Sequence, residues 1–153
     1  MKTIKTKTQI QAPAKVVWNV LMDFKSYPDW NPFVKEINGS PSVGQSLKVK
    51  IFNGKKDFNF QPMVLVVEPE TEFRWKGKMW FKGIFDGEHY FQLRETKQQN
   101  GNVTTHLTHG ENFSGLLAGI LMKQIGESTE TGFQNMNEAL KSRSENIFAQ
   151  DGV

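Results

Sequence analysis

Phe85-Asp86-Gly87-Glu88-His89-Tyr90-Phe91-Gln92-Leu93 is followed, beyond Gln99-Asn100-Gly101, by Val103-Thr104-Thr105-His106-Leu107-Thr108-His109-Gly110-Glu111-Asn112-Phe113. Both segments alternate with the two-residue period of a half-buried β-strand. The apolar row of the first holds Phe85, Gly87, His89, Phe91 and Leu93; that of the second holds Val103, Thr105, Leu107, His109, Glu111 and Phe113. Every member is odd-numbered. Rows that share a sheet face must pair residues whose numbers sum to an even value, which a two-residue Asn100-Gly101 turn does not provide. A three-residue loop, Gln99-Asn100-Gly101, does provide it, with Gly101 at the left-handed position and residue 98 facing 102. Leu93 then opposes Leu107, Phe91 opposes His109 and His89 opposes Glu111, while the reverse face carries Arg94 with His106 and Gln92 with Thr108. An imidazole and a carboxylate are thus expected side by side on the apolar face.

Three roles are open to that pair. Buried His and Glu side chains can simply satisfy each other's hydrogen bonds; they can meet the polar end of a ligand; or they can transfer a proton, a carboxylate partner raising the imidazole pKa and desolvation lowering it. His89 and Glu111 are therefore the candidates for any catalytic role. His109 brings a second imidazole, but neither strand has a metal-ligand spacing, so neither a metal nor a cofactor is expected. The chain has no cysteine, which removes disulfides, thiol nucleophiles and thiolate zinc sites together. No Gly-x-Ser-x-Gly elbow and no phosphate-binding glycine loop occur.

Outward from the hairpin, residues 3–11 alternate with Ile4, Thr6, Thr8 and Ile10 on one face, a first strand with two inward threonines. Pro13 suits a first helical position, and Val16, Val17, Val20, Leu21 and Phe24 repeat at helical spacing, predicting a short amphipathic helix over 13–24. Tyr27-Pro28-Asp29-Trp30-Asn31-Pro32-Phe33 permits a single further turn in a compact aromatic corner. From 34 to 113 the breaks at Asn38-Gly39, Asn53-Gly54, Glu68-Pro69, Lys82-Gly83 and Asn100-Gly101 separate about six strands of an antiparallel meander. Phe73, Trp75 and Met79 share one parity there, opposite Glu72, Arg74, Lys76 and Lys78. Beyond Ser114, a predicted N-cap, Leu117, Leu121, Ile125, Ser128, Gly132, Met136 and Ala139 trace one stripe of a long helix to about residue 146, with 149–153 frayed.

The 153 residues suit one domain, 1–153, and the formal net charge of +3 is too small to signal nucleic acid. Lys5, Lys7, Lys48 and Lys50 lie on wet strand faces, away from the aromatics that a base-stacking surface would need beside them. Met1 to Lys7 is not followed by the apolar stretch of a secretory signal, and no apolar run reaches a membrane span, so a cytoplasmic location without membrane insertion is expected. Met79-Trp80-Phe81 near a turn calls for cover, by packing or by a partner.

In this order the opening strand ending Ala12-Pro13-Ala14-Lys15-Val16-Val17-Trp18, the corner Asp23-Phe24 through Tyr27-Pro28-Asp29-Trp30-Asn31-Pro32-Phe33-Val34, the Val43-Gly44-Gln45 approach, Phe85 through Phe91, and Gly110-Glu111-Asn112-Phe113-Ser114-Gly115-Leu116-Leu117 resemble the START-like superfamily, also called SRPBCC or Bet v 1-like, in its polyketide cyclase/dehydrase branch. The resemblance implies an α+β helix-grip fold: a curved antiparallel sheet of about seven strands wrapped around a long C-terminal helix, with two short helices after the first strand. It also implies a hydrophobic cavity between sheet and helix. The lining expected there is Phe73, Trp75, Met79, Phe85, His89, Phe91, His109, Glu111, Leu121, Ile125, Ser128 and Met136, with Ser128 and Gly132 leaving space. The expected partner is a small hydrophobic molecule, a lipid or an aromatic, polyketide-like metabolite. The alternatives are a cyclase/dehydratase-type enzyme using His89 and Glu111 for proton transfer, and an interaction module with a filled interior presenting Trp80 and Phe81.

Overall fold

In chain order the elements are β1 (Lys2–Ile10), α1 (Ala14–Met22), a 3-10 turn (Phe24–Ser26), α2 (Tyr27–Trp30), β2 (Val34–Asn38), β3 (Lys48–Phe52), β4 (Asp57–Phe60), β5 (Met63–Glu68), β6 (Glu72–Met79), β7 (Phe85–Lys97), β8 (Val103–Ser114) and α3 (Ala118–Asp151). The computed structural model describes residues 1–79, 83 and 85–151, with the side chains of Lys78 and Met79 outside the description.

β7 and β8 pair in the register that their two odd-numbered rows require: Leu93 faces Leu107, Phe91 faces His109 and His89 faces Glu111. The loop between them has three residues. Gly101 sits at φ 88°, the left-handed region open to glycine, and the Gln98 N–H donates to the Asn102 carbonyl at 2.8 Å across its neck.

One sheet runs β1-β8-β7-β6-β5 and a second runs β2-β3-β4. They are continuous, because the segment entering β3 bonds to the start of β5: the Leu47 N–H donates to the Pro62 carbonyl at 2.8 Å and the Val64 N–H to the Gln45 carbonyl at 2.9 Å. β4 and β5 thus form one strand bent at Gln61-Pro62, a break absent from the sequence reading. Pro62 lacks the N–H a straight ladder needs, so the strand kinks there and the sheet curls. The result is a curved antiparallel sheet around α3, the helix-grip arrangement.

The corner after α1 is closed by its own polar atoms. Asn31 Oδ1 accepts from the Phe33 and Val34 N–H groups at 3.0 and 2.9 Å, and the buried Tyr27 hydroxyl donates to the Leu21 carbonyl at 2.8 Å. This corner sets Phe33 edge-on to Phe133 of α3, ring centres 5.4 Å apart.

Helix α3 differs from expectation in three respects. Ser114 ends β8 rather than capping the helix, which begins at Ala118; α3 continues to Asp151, with Ile147 and Phe148 packed on the core. Its buried residues are Ala118 at the start and then Phe133, Met136, Asn137, Leu140 and Ser144, a face one step round from the expected stripe. Gly132 leaves no space, because the Phe33 ring lies where its Cβ would be, and Ser128 is exposed, its hydroxyl bonded to the Ile125 carbonyl at 3.0 Å. Small residues on a helix permit close approach as readily as a void. Beyond Ala118 the amino-terminal half is less covered: Leu121, Met122 and Ile125 are half-buried and Ile120 is 61% exposed, while Leu116, just before the helix, is 87% exposed. Among the described residues no helix is long and apolar enough to cross a membrane.

Replacing an exposed helical glycine by alanine ordinarily stabilises by about 1 kcal/mol. Gly132→Ala has the opposite sign here, losing about 1–3 kcal/mol as the buried Phe33 ring is displaced, measured by urea unfolding. A gain in stability would show that Phe33 yields freely.

Candidate functional site

Pairing within the sheet and one turn of α3 bring five polar side chains into a row beneath the helix. The Thr6 hydroxyl donates to the His109 carbonyl at 2.9 Å and accepts from Asn137 Nδ2 at 2.8 Å. Asn137 Oδ1 lies 2.8 Å from His109 Nδ1, His109 Nε2 lies 2.8 Å from His89 Nε2, and His89 Nδ1 lies 3.3 Å from Glu111 Oε2. Thr6 comes from β1, His109 and Glu111 from β8, His89 from β7 and Asn137 from α3, so the row ties the helix to three strands.

Aromatic rings enclose it. His109 is stacked between Phe133 at 4.1 Å and Phe91 at 4.4 Å, and His89 lies on the Trp75 ring at 4.7 Å with 15° between planes. Phe73, Trp75, Phe85, His89, Phe91, His109 and Met136 are all buried. Only Glu111 reaches the edge of the row, its side chain 18% exposed. Its Oε1 occupies the place a Cβ would take at Gly87, so that glycine makes room for the carboxyl. Phe113 faces Gly87 on the next pair of positions along the same strands, and its ring stacks 5.4 Å from that of Phe85, one diagonal further on.

Burial dominates the electrostatics. It pushes the His89 imidazole down to about 3 and the Glu111 carboxyl up to about 8. His109 falls well below 6.5, chiefly through burial and then through its neighbour His89, against opposing hydrogen bonds to Asn137 and the Phe133 backbone. Desolvation therefore outweighs any carboxylate effect on His89, since a protonated Glu111 offers no charge. At neutral pH both imidazoles are uncharged and the carboxyl is an acid.

Of the residues singled out in the sequence, the structure gathers Phe73, Trp75, Phe85, His89, Phe91, His109, Glu111 and Met136, sets Leu121 and Ile125 half-buried on α3, and turns Ser128 outward. The Met79 side chain, Trp80 and Phe81 lie outside the described residues. Sequence reasoning missed Phe133 and Asn137. Their signal was the 133-136-137-140-144 spacing, masked by Gly132 and Ala139, whose small side chains fit an apolar stripe equally well. An open groove of about 500 Å³ also crosses the outer face of the sheet, lined by residues such as Lys7, Gln92, Arg94 and His106, turned away from the aromatic row.

Residues 1–145 match the family model described as "Polyketide cyclase / dehydrase and lipid transport". The chain belongs to this family. Solved structures similar to this polyketide cyclase/dehydrase and lipid transport family member include the Zhui aromatase/cyclase from Streptomyces sp. R1128, with a TM-score of 0.73 and 16% identity over 99% of each chain. A protein from Mesorhizobium loti has a TM-score of 0.70 and 19% identity, covering 99% of this chain and 100% of its own. A START superfamily protein from Mycobacterium smegmatis has a TM-score of 0.65 and 14% identity, covering 95% and 98% respectively. At these identities the likeness concerns the fold. No curated protein matches the sequence.

Proposed function

We propose that the chain binds a small hydrophobic molecule, a lipid or an aromatic, polyketide-like metabolite, between the sheet and the amino-terminal half of α3. The observation that carries this reading is the Glu111 carboxyl: a half-buried acid, kept neutral by burial, at the open end of an otherwise aromatic row. Leu121, Met122 and Ile125, packed against the core yet only half-buried, supply the apolar cover opposite. The middle of α3, where Phe133 stacks on His109 and meets Phe33 edge-on, is too closely packed to share in it. Membership of a family described by lipid transport and cyclisation supports the same ligand class.

A second reading, a cyclase/dehydratase-type enzyme, is favoured by the 3.3 Å contact between His89 Nδ1 and Glu111 Oε2, the juxtaposition a proton-transfer pair needs. In it Glu111 meets the substrate, and His89, only 1% exposed, orients Glu111 from behind.

Native mass spectrometry of protein purified from its own host tests both. A co-purifying hydrophobic compound is expected, and re-adding it at about a hundredfold its Kd raises Tm by roughly 5–10 °C. A compound recovered unchanged indicates a carrier; conversion on incubation indicates an enzyme. If no compound co-purifies, and no fatty acid, phospholipid or polycyclic aromatic raises Tm, both readings fail.

A further inference from the structure

The row of five side chains has a direction, and its origin is a backbone carbonyl. The Thr6 hydroxyl has one proton, given to the His109 carbonyl, so its oxygen accepts from Asn137 Nδ2. Asn137 must then present its oxygen to His109 Nδ1, which therefore carries a hydrogen. His109 is neutral, so its Nε2 is a bare acceptor and the hydrogen in the 2.8 Å contact between imidazoles belongs to His89 Nε2. His89 is neutral too, leaving Nδ1 bare toward Glu111. The last donor has to be Glu111 Oε2–H. Reversing the order would flip the Asn137 amide and take the Thr6 proton from the His109 carbonyl, the bond that fixes the direction.

From this order we infer that Glu111 presents its second oxygen, Oε1, to the site as a hydrogen-bond acceptor only, so that the ligand is an uncharged hydrophobic molecule bearing a hydroxyl or phenol, not a carboxylate or an ammonium. The inference rests on the ligand-binding reading and specifies its ligand. The acid proton is committed to His89 and is not available to a ligand carbonyl. Oε1, lying over Gly87, has no protein partner among the described residues. No other titratable side chain among them lies within hydrogen-bond or ion-pair distance of Glu111: β1 places Ile4 opposite it, β7 places His89, and burial is the sole cause of its raised pKa. An anionic headgroup would find no cation there, and a cation would find no formal charge.

The test compares 2-naphthol with 2-methoxynaphthalene, each displacing a bound hydrophobic fluorescent dye at pH 6.5. About tenfold tighter binding of the naphthol is expected, the worth of one hydrogen bond in an apolar site. Glu111→Gln keeps the preference, because its amide N–H replaces the acid proton toward His89 and its carbonyl replaces Oε1. Glu111→Leu binds both probes alike. Equal binding by the native protein, a preference surviving in Glu111→Leu, or tighter binding of 2-naphthylmethylammonium overturns the inference while leaving ligand binding intact. Failure of every probe to bind overturns the ligand-binding reading itself. Independently of any ligand, long-range ¹H–¹⁵N correlation spectra are expected to show His89 protonated at Nε2 and His109 at Nδ1; the opposite tautomers overturn the proton order from which the ligand class follows.

Discussion

Phe133→Ala lowers the unfolding free energy by about 3–5 kcal/mol, near the top of the range for an aromatic ring removed from a packed core. For a chain of this length that is a fall in Tm of roughly 10 °C. The ring is wholly buried and packs on three others: it stacks on His109 at 4.1 Å, meets His89 edge-on at 5.0 Å and meets Phe33 edge-on at 5.4 Å. Its loss opens a cavity beside two neutral imidazoles that depend on dry surroundings, so collapse of the neighbours is resisted by the hydrogen bonds that hold them in line. Denaturant unfolding at neutral pH measures the effect. A loss below about 1 kcal/mol would mean that α3 is not seated on His109 as described, since even a modest cavity costs more.

The second large effect is a stability maximum near pH 6.5, set by groups that titrate in opposite senses. His89 is pushed down to about 3 and His109 well below 6.5, so around pH 6.5 the unfolded chain takes up two protons that the folded chain refuses. Stability falls as pH drops below that value. Glu111, raised from 4.5 to about 8, holds in the folded state a proton that the unfolded chain has already released. Its contribution is complete below pH 4.5 and is lost as pH rises toward 8. Between 4.5 and 6.5 two imidazoles outweigh one carboxyl; above 6.5 the carboxyl acts alone. The alkaline limb has a slope of about 1.4 kcal/mol per pH unit, amounting to roughly 2 kcal/mol by pH 8. Urea unfolding from pH 4 to 9 gives the curve, and Glu111→Gln, which cannot ionise, flattens its alkaline side and steepens the acid side between pH 4.5 and 6.5, where the carboxyl no longer opposes the imidazoles. An alkaline limb as steep in that variant as in the native protein would assign the titration to another group.

The register of the β7–β8 hairpin was legible through parity. The odd-numbered rows demand an even sum, which rejects the two-residue Asn100-Gly101 turn that Gly101 alone would allow, so the juxtaposition of His89 and Glu111 followed before any coordinates. The bend at Pro62 was harder to see, since β4 and β5 lie on the same neighbour and read as one strand. On α3 the apolar signal is weak in the first place: Asn137 and Ser144 are buried polar residues and Ile120 is an exposed apolar one, so hydropathy misplaces the inward face by one residue. Asn137 could be assigned only once β1 was known to place Thr6 opposite His109, because each of the two satisfies the other's partner. Local periodicity fixes strands and their pairing; the rotation of a helix about its own axis is decided by the side chains it lands upon.

The bond between Asn137 and Thr6 also gives α3 a pivot. Ala118 lies about 28 Å along the axis from Asn137, so a rotation of about 6° about that fulcrum carries the far end roughly 3 Å. Asn137, a little past the middle of the helix, is fixed in the polar row, while Leu121, Met122 and Ile125 on the longer arm are only half-buried against the core. Leverage of this kind turns a tilt too small to break one buried hydrogen bond into a gap the width of a methylene chain, so entry to the interior would leave the proton order at its base undisturbed.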